Sequence, residues 1–402
     1  MSMPRTQALR YAAIGVPLGF LGLPLYMHLP HYYAGAFGLS LSLLGGIFMV
    51  SRLIDCLLDP WLGRVLDRSG NRVLIVLAAA VTIAGMLALF TLPLWFTQPP
   101  PVWSIAAMLI LTYVGYSILC IRFYASGVRL ASGSCEATSI SSWRESALIC
   151  GVVLAAVAPG MGMSYPQLAA LYAVLLLAAL VLGWRIIGKR HAVQPRIASL
   201  WATARQHRRL FVVFFFNALA PAITATLYLF YMADVLHAAD AAALCLLVYF
   251  AAALIAMPFW VRLASIYGAL PCLVAAMGLA IISFIGAAQL GAGDISLFAL
   301  ICLLTGIAFG ADAALLPSLL SNDLQSTQAS EHTAFGIWVA ISKFALALAA
   351  GIALPAVEAL QSAGIGPDQA VRFTYSMLPC AIKAAALICL LSYDRHQQRS
   401  LV

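Results

Sequence analysis

Charged side chains are scarce in this chain, 9% of 402 residues, and acidic ones are scarcest, with 14 Asp and Glu against 22 Lys and Arg. A water-soluble fold of this length needs a far larger ionisable surface, so a soluble globular protein is excluded. Long polar segments are missing too. The longest polar connection runs from Lys189 to Arg209, and there is no soluble signalling domain or long tail. Paired cysteine spacings are absent: Cys56, Cys120, Cys150, Cys245, Cys302 and Cys389 lie in apolar stretches and read as small hydrophobes, not as disulfide partners or metal ligands. A cleavable leader is not expected, because the first apolar stretch runs on into a full span carrying Pro17, Pro24, His28 and Pro30.

What the chain has instead is hydrophobic residues, 63% of the total, in runs long enough to span a bilayer from Tyr11 to beyond Leu390. Such spans must be helices that satisfy their own backbone hydrogen bonds, because closed strand barrels show short alternating segments. The pattern predicts twelve helices, near 10–34, 39–65, 72–95, 103–128, 141–163, 166–188, 209–235, 239–262, 270–290, 295–321, 334–360 and 370–392. The expected architecture is an all-α integral membrane protein with a six-helix bundle over 1–188, a cytoplasmic central loop over 189–208, and a second six-helix bundle with a short tail over 209–402. Arg5, Arg10, Arg64, Arg68, Arg72, Arg129, Arg262, Arg395, Arg399 and the central-loop cluster fall on one side, whereas the opposite loops contain no Lys or Arg. Orientation thus explains the net charge of +8 better than nucleic acid does, and both termini are expected in the cytoplasm.

The segment "DPWLGRVLDRSGNR" at 59–72 aligns without gaps to "MPFWVRLASIYGAL" at 257–270, an offset of 198 residues that pairs Pro60 with Pro258, Arg64 with Arg262 and Gly70 with Gly268. This marks two equivalent halves. Asp55 and Asp59 fall opposite Ala253 and Met257, so an acidic pair belongs to the first half alone.

That pair, with Arg52, projects from one helix face at i, i+3 and i+7 spacing, inside the hydrocarbon span. An ionised carboxylate there costs at least about 2.5 to 3.5 kcal/mol without a partner or a wet path, which points to function; a structural ion-pair network is the alternative. Two carboxylates one turn apart suit a small hard cation or a shared proton, so sodium and proton both remain open. Arg52 and Lys343, near the middle of the eleventh helix, are expected to support the cation site. Candidates for a small-molecule cavity are Tyr26, His28, Tyr116, Cys120, Arg122, Tyr124, Arg144, Asp312 and Trp338; an aromatic belt, a snorkelling Arg122 and an Arg144–Glu145 pair that neutralises itself are the plainer readings.

"GRVLDRSGNR" at 63–72 resembles the loop signature of the major facilitator superfamily, in which Gly63, Asp67, Arg68, Gly70 and Arg72 would form a gating turn with a charge-pair latch at a helix end. Within that superfamily, the second-helix region "GLSLSLLGGIFMVSRLIDCLLDPWLGRVLDRSGNR", "YYAGAFGLS" at 32–40, "GADAALLPSLLSNDLQ" and "FGIWVAISKFALALAAG" resemble the glycoside-pentoside-hexuronide:cation symporters. The resemblance implies a major facilitator fold, a coupling cation at Asp55 and Asp59, a nearby role for Lys343, and no organic cofactor. It departs where melibiose permeases carry sugar-binding acids: the stretches "VPLGF" at 16–20 and "LCIRFYAS" at 119–126 offer Leu18, Gly19 and Cys120 instead.

The expected function is a monomeric sodium- or proton-coupled symporter in a bacterial inner membrane, carrying either a sugar or glycoside or an anionic or amphipathic, lysolipid-like solute. The rival is an integral-membrane enzyme of the magnesium-dependent prenyltransferase type using Asp55 and Asp59, which would need a second acidic cluster denser than Asp312 and Asp323 supply.

Overall fold

The computed structural model describes the backbone of residues 5–39, 41–69, 72–96, 98, 100–131, 133–188, 199–327 and 330–400. Among the described residues the regular structure is entirely helical. The α-helices are α1 (Arg5–Ala12), α2 (Gly15–Leu23), α3 (Leu29–Phe37), α4 (Leu41–Ser69), α5 (Arg72–Trp95), α6 (Val102–Leu130), α7 (Ser134–Val157), α8 (Tyr165–Ile187), α9 (Leu200–Gln206), α10 (Arg208–Phe230), α11 (Ala242–Tyr267), α12 (Ala269–Ile285), α13 (Ile295–Thr327), α14 (Glu331–Ser362) and α15 (Pro367–Ser400).

Ten helices among the described residues are long and apolar enough to cross a membrane. The first two of the twelve predicted spans depart from that measure for identifiable reasons. The stretch predicted as one helix near 10–34 is divided into α1, α2, a π-helical turn at Pro24–His28 and α3. Pro24 lacks an N–H, so the i→i−4 ladder cannot pass through it, and the extra residue is absorbed as a wider turn. The second span, α4, is long but carries Arg52, Asp55, Asp59, Arg64, Asp67 and Arg68. The central connection contains the short helix α9, and residues 189–198 lie outside the described residues.

The chain divides into two units, Met1–Ala204 with Ser321–Ala340, and Arg205–Leu320 with Ile341–Val402. In the first, α2 packs on α7 and α8, and α6 packs on α4 and α5. Its core is built from Phe20, Leu44, Met86, Phe90, Leu109 and Phe123, with the buried tyrosines Tyr11 and Tyr33 satisfied at their polar ends. Tyr11 donates to the Phe123 carbonyl at 3.1 Å and Tyr33 to the Leu89 carbonyl at 2.9 Å. In the second, α15 packs on α10 and α12 around an aromatic cluster. Tyr231 stacks on Tyr375 at 4.1 Å, Phe298 lies 5.3 Å from Tyr231, and the Tyr231 hydroxyl reaches the Ala287 carbonyl at 2.7 Å. Large apolar side chains such as Leu57, Val181, Ile255, Ile282 and Ile388 point outward from the helices, as a surface bathed in hydrocarbon requires.

Phe298 is 1% exposed and touches Tyr228, Tyr231 and Tyr375. Phe298→Ala should cost about 3 to 5 kcal/mol, a cavity penalty read as a clear fall in the thermal unfolding midpoint of the detergent-solubilised protein.

Candidate functional site

The long helix α4 positions the acidic pair. Asp55 and Asp59 stand one turn apart on its inner face and are 1% and 0% exposed. Ser117 of α6 donates its hydroxyl to Asp55 Oδ1 at 3.0 Å, so an oxygen donor from a second helix joins the two carboxylates. Arg52, one turn earlier, lies with its guanidinium carbon 6.0 Å from the centre of the Tyr113 ring. Pro60 has no N–H to offer the Cys56 carbonyl, which interrupts the ladder of α4 beside the pair. Asp55, Asp59 and Ser117 present hard oxygen donors of the kind that bind a small cation or a proton.

Two turns further along α4, Asp67 meets the first turn of α14. Its Oδ1 accepts from the His332 backbone amide at 3.3 Å and from His332 Nδ1 at 2.8 Å. Its Oδ2 accepts from the Thr333 amide at 2.9 Å and the Thr333 hydroxyl at 2.5 Å. A helix start leaves its first amides without partners and carries partial positive charge, so a carboxylate is well matched there. Arg122 Nη1 donates to His332 Nε2 at 3.0 Å. Because a guanidinium has no acceptor, Nε2 must be the unprotonated nitrogen and Nδ1–H must donate to Asp67. Arg122 Nε also reaches the Ile187 carbonyl at 3.0 Å, Arg129 pairs with Glu331 at 2.7 Å, and Gln325 donates to the Val128 and Ala131 carbonyls at 2.6 and 2.8 Å.

These contacts explain why Ser321–Ala340 belongs to the first unit. Backbones meet as well. A Cβ on Gly63 would stand 2.3 Å from the His332 carbonyl oxygen, and one on Gly336 2.7 Å from that of Asp59. Only glycine allows α4 and α14 to cross so closely.

The other expected residues separate. Of the gating turn, Gly63 and Asp67 make the contacts above; Arg68 is exposed, Arg72 donates from Nε to the Gly188 carbonyl at 2.5 Å, and Gly70 lies outside the described residues. The partners of Asp67 are therefore a helix terminus, a histidine and a threonine, where the sequence suggested a charge pair. Arg144 donates from Nε to Glu145 Oε1 at 2.9 Å and lies 4.1 Å over the Tyr124 ring, and Tyr124 donates to the same carboxylate oxygen at 3.1 Å. Cys120 is buried, Tyr116 is half-buried on the same helix, and His28 sits 5.7 Å from the Tyr165 ring. The Tyr26 side chain lies outside the described residues. Trp338 is buried beside Phe335 in the first unit; Lys343 is buried in the second.

Asp312 also belongs to the second unit, where sequence reasoning missed its partners. Lys383 of α15 donates to Asp312 Oδ2 of α13 and, at 2.5 Å, to Asn217 Oδ1 of α10. Lys383 had a readable signal, since it is a cation inside an apolar span. His332, Thr333 and Asn217 had none, because nothing in their spacing announces a partner dozens to hundreds of residues away. Among the described residues, no three His, Cys, Asp or Glu side chains gather as a metal site.

The description "MFS/sugar transport protein" matches residues 10–395. The chain belongs to that family. As a member of the MFS/sugar transport family it is a multi-pass membrane protein with the twelve-helix major facilitator fold, and its relatives are transporters. A putative glycoside/cation symporter, YagG, of Escherichia coli is 27% identical over 132 residues, 31% of this chain and 28% of that protein. An uncharacterized symporter, YjmB, of Bacillus subtilis is 26% identical over 126 residues, 30% of this chain and 27% of that protein. The similarity thus spans between a quarter and a third of these relatives' length. Among solved structures, a bacterial homologue of the iron transporter ferroportin superposes with a TM-score of 0.73 at 14% identity, covering 98% of this chain and 100% of that one. The proton:xylose symporter XylE superposes with a TM-score of 0.67 at 15% identity, covering 97% and 94%. Family membership removes the prenyltransferase reading of Asp55 and Asp59.

Asp67→Ala should strip four hydrogen bonds from the start of α14. With buried amides left unpaired at about 1 to 3 kcal/mol, the His332 and Thr333 amides should exchange about tenfold faster or more in hydrogen-exchange mass spectrometry, while peptides of α10 stay unchanged.

Proposed function

We propose that the protein is a cation-coupled symporter of a glycoside-class solute, seated in a bacterial inner membrane with both termini in the cytoplasm and working by alternating access. One observation carries this reading: two carboxylates, fully buried one helical turn apart on a membrane helix, with the Ser117 hydroxyl on one of them. Two carboxylates buried on one helix face in low dielectric repel one another, and a cation or proton joining them lowers that cost. Binding of the ion would then favour the state competent for solute. Asp55, Asp59 and Ser117 would hold the ion, with Arg52 setting the charge around it. The naming of one relative as a putative glycoside/cation symporter supports the same reading.

The Asp67 cap would act as the gate. Its four hydrogen bonds are all made to two adjacent residues, so they form and break together as α4 and the start of α14 separate.

For the solute, the anionic alternative relied on Arg122, Arg144 and Lys343, and the two arginines are engaged by protein groups: His332 and the Ile187 carbonyl for one, Glu145 and Tyr124 for the other. That favours a polyhydroxylated, uncharged cargo bound by hydrogen bonds over an anion or lysolipid.

The test is uptake of radiolabelled glycosides by proteoliposomes under an imposed sodium or proton gradient. Asp55→Asn should lower gradient-driven uptake by about tenfold or more, whereas Ser117→Ala, which removes a single hydrogen bond to a carboxylate worth about 1.5 to 3 kcal/mol, should weaken the ion's half-saturation by about tenfold or more. Undiminished gradient-driven uptake by Asp55→Asn would sink the assignment.

A further inference from the structure

The second unit holds a charge cluster that the acidic pair of α4 does not account for. Asn217, Asp312 and Lys383 come from three different helices, α10, α13 and α15, and each lies near the middle of its helix. They are 6%, 6% and 8% exposed. Lys383 donates to Asp312 Oδ2 and to Asn217 Oδ1, which uses one oxygen of the carboxylate. The other, Asp312 Oδ1, is buried with no donor at hydrogen-bonding distance, and the Asn217 side chain is the polar group beside the same carboxylate. A buried carboxylate oxygen without a donor forfeits much of what it lost on leaving water.

The groups around it are few. Tyr249 of α11 is the other titratable side chain in electrostatic reach of Asp312, and its ring lies 5.4 Å from Phe309, one turn before Asp312. The α12 segment packed on α15 carries no charged residue, and Lys343 on α14 is the remaining buried lysine of this unit. The backbone at this level is also weakened. Pro221, Pro317 and Pro379 lie four residues after Asn217, five after Asp312 and four before Lys383. Each removes one ladder hydrogen bond, so each of the three helices can bend where its polar side chain sits.

We propose that Asp312 is a proton-binding site of the second unit, separate from the Asp55 and Asp59 pair, with Oδ1 as the protonated atom. The occupant is a proton and not a solute hydroxyl, because all three residues are buried and offer no face of solute size. Protonation at Oδ1 removes the buried negative charge of the carboxylate and leaves Lys383 held by Asn217. The ion pair between α13 and α15 is thereby loosened at the level of the three prolines. A purely structural ion pair would instead stay ionised across the working pH range.

The experiment is infrared difference spectroscopy of the purified full-length protein in lipid, titrated from pH 8 to pH 4 with no solute or sodium added. The wild type should develop a protonated-carboxyl C=O band as pH falls. Asp312→Asn should lose one carboxyl's share of that band, and the share should persist in Asp55→Asn and Asp59→Asn. Should Asp312→Asn fail to fold because Lys383 is left unpaired, the neutral double variant Asp312→Asn with Lys383→Gln carries the same expectation. A band of wild-type amplitude in either Asp312 variant would overturn the proposal. Since no uptake is measured, this result stands apart from the fate of the symport reading.

Discussion

The carboxylate of Asp67, set against the first turn of α14, is the interaction on which the arrangement of the first unit turns. A helix start inside a membrane protein has amide groups that neither lipid nor neighbouring apolar side chains can satisfy. Asp67 satisfies two of them and takes two side-chain donors as well. With α14 anchored there, Gly63 and Gly336 can cross at backbone contact, Arg122 can reach His332, and Arg129 can pair with Glu331. The sequence segment Ser321–Ala340 thereby joins the first unit although it lies far along the chain.

The same helix that carries the cap carries the acidic pair. Asp59 and Asp67 are eight residues apart, about 12 Å along an axis that rises 1.5 Å per residue. A shift of α4 at the carboxylates is therefore felt at the start of α14. The close crossing leaves no slack to absorb it, since a methyl group on either glycine would overlap a carbonyl.

Among the described residues, several buried charges are neutralised on the spot. Arg144 has Glu145, Lys383 has Asp312, Asp67 has a helix terminus, and Arg129 has Glu331. Asp55 and Asp59 are two acidic groups on one helix face, and the Ser117 hydroxyl donates to the first of them. Desolvation makes two buried carboxylates on one helix expensive, which is the physical basis of the proposed ion site.

Much of this was legible in the residues alone. Apolar run length requires membrane helices, and the i, i+4 spacing of Asp55 and Asp59 places both on one face, because each depends only on local chain geometry. The broken first helix was half legible, since Pro24 was visible but its resolution as a π-turn was not. What tertiary structure alone decided is which distant groups meet. Asp67 faces His332 and Thr333 instead of an arginine, Lys383 faces Asp312 and Asn217, and Arg122 and Arg144 are claimed by the protein itself. Helical period dictates the face on which a side chain lies, but the partner on that face comes from how helices pack, and packing is settled by contacts between residues hundreds of positions apart.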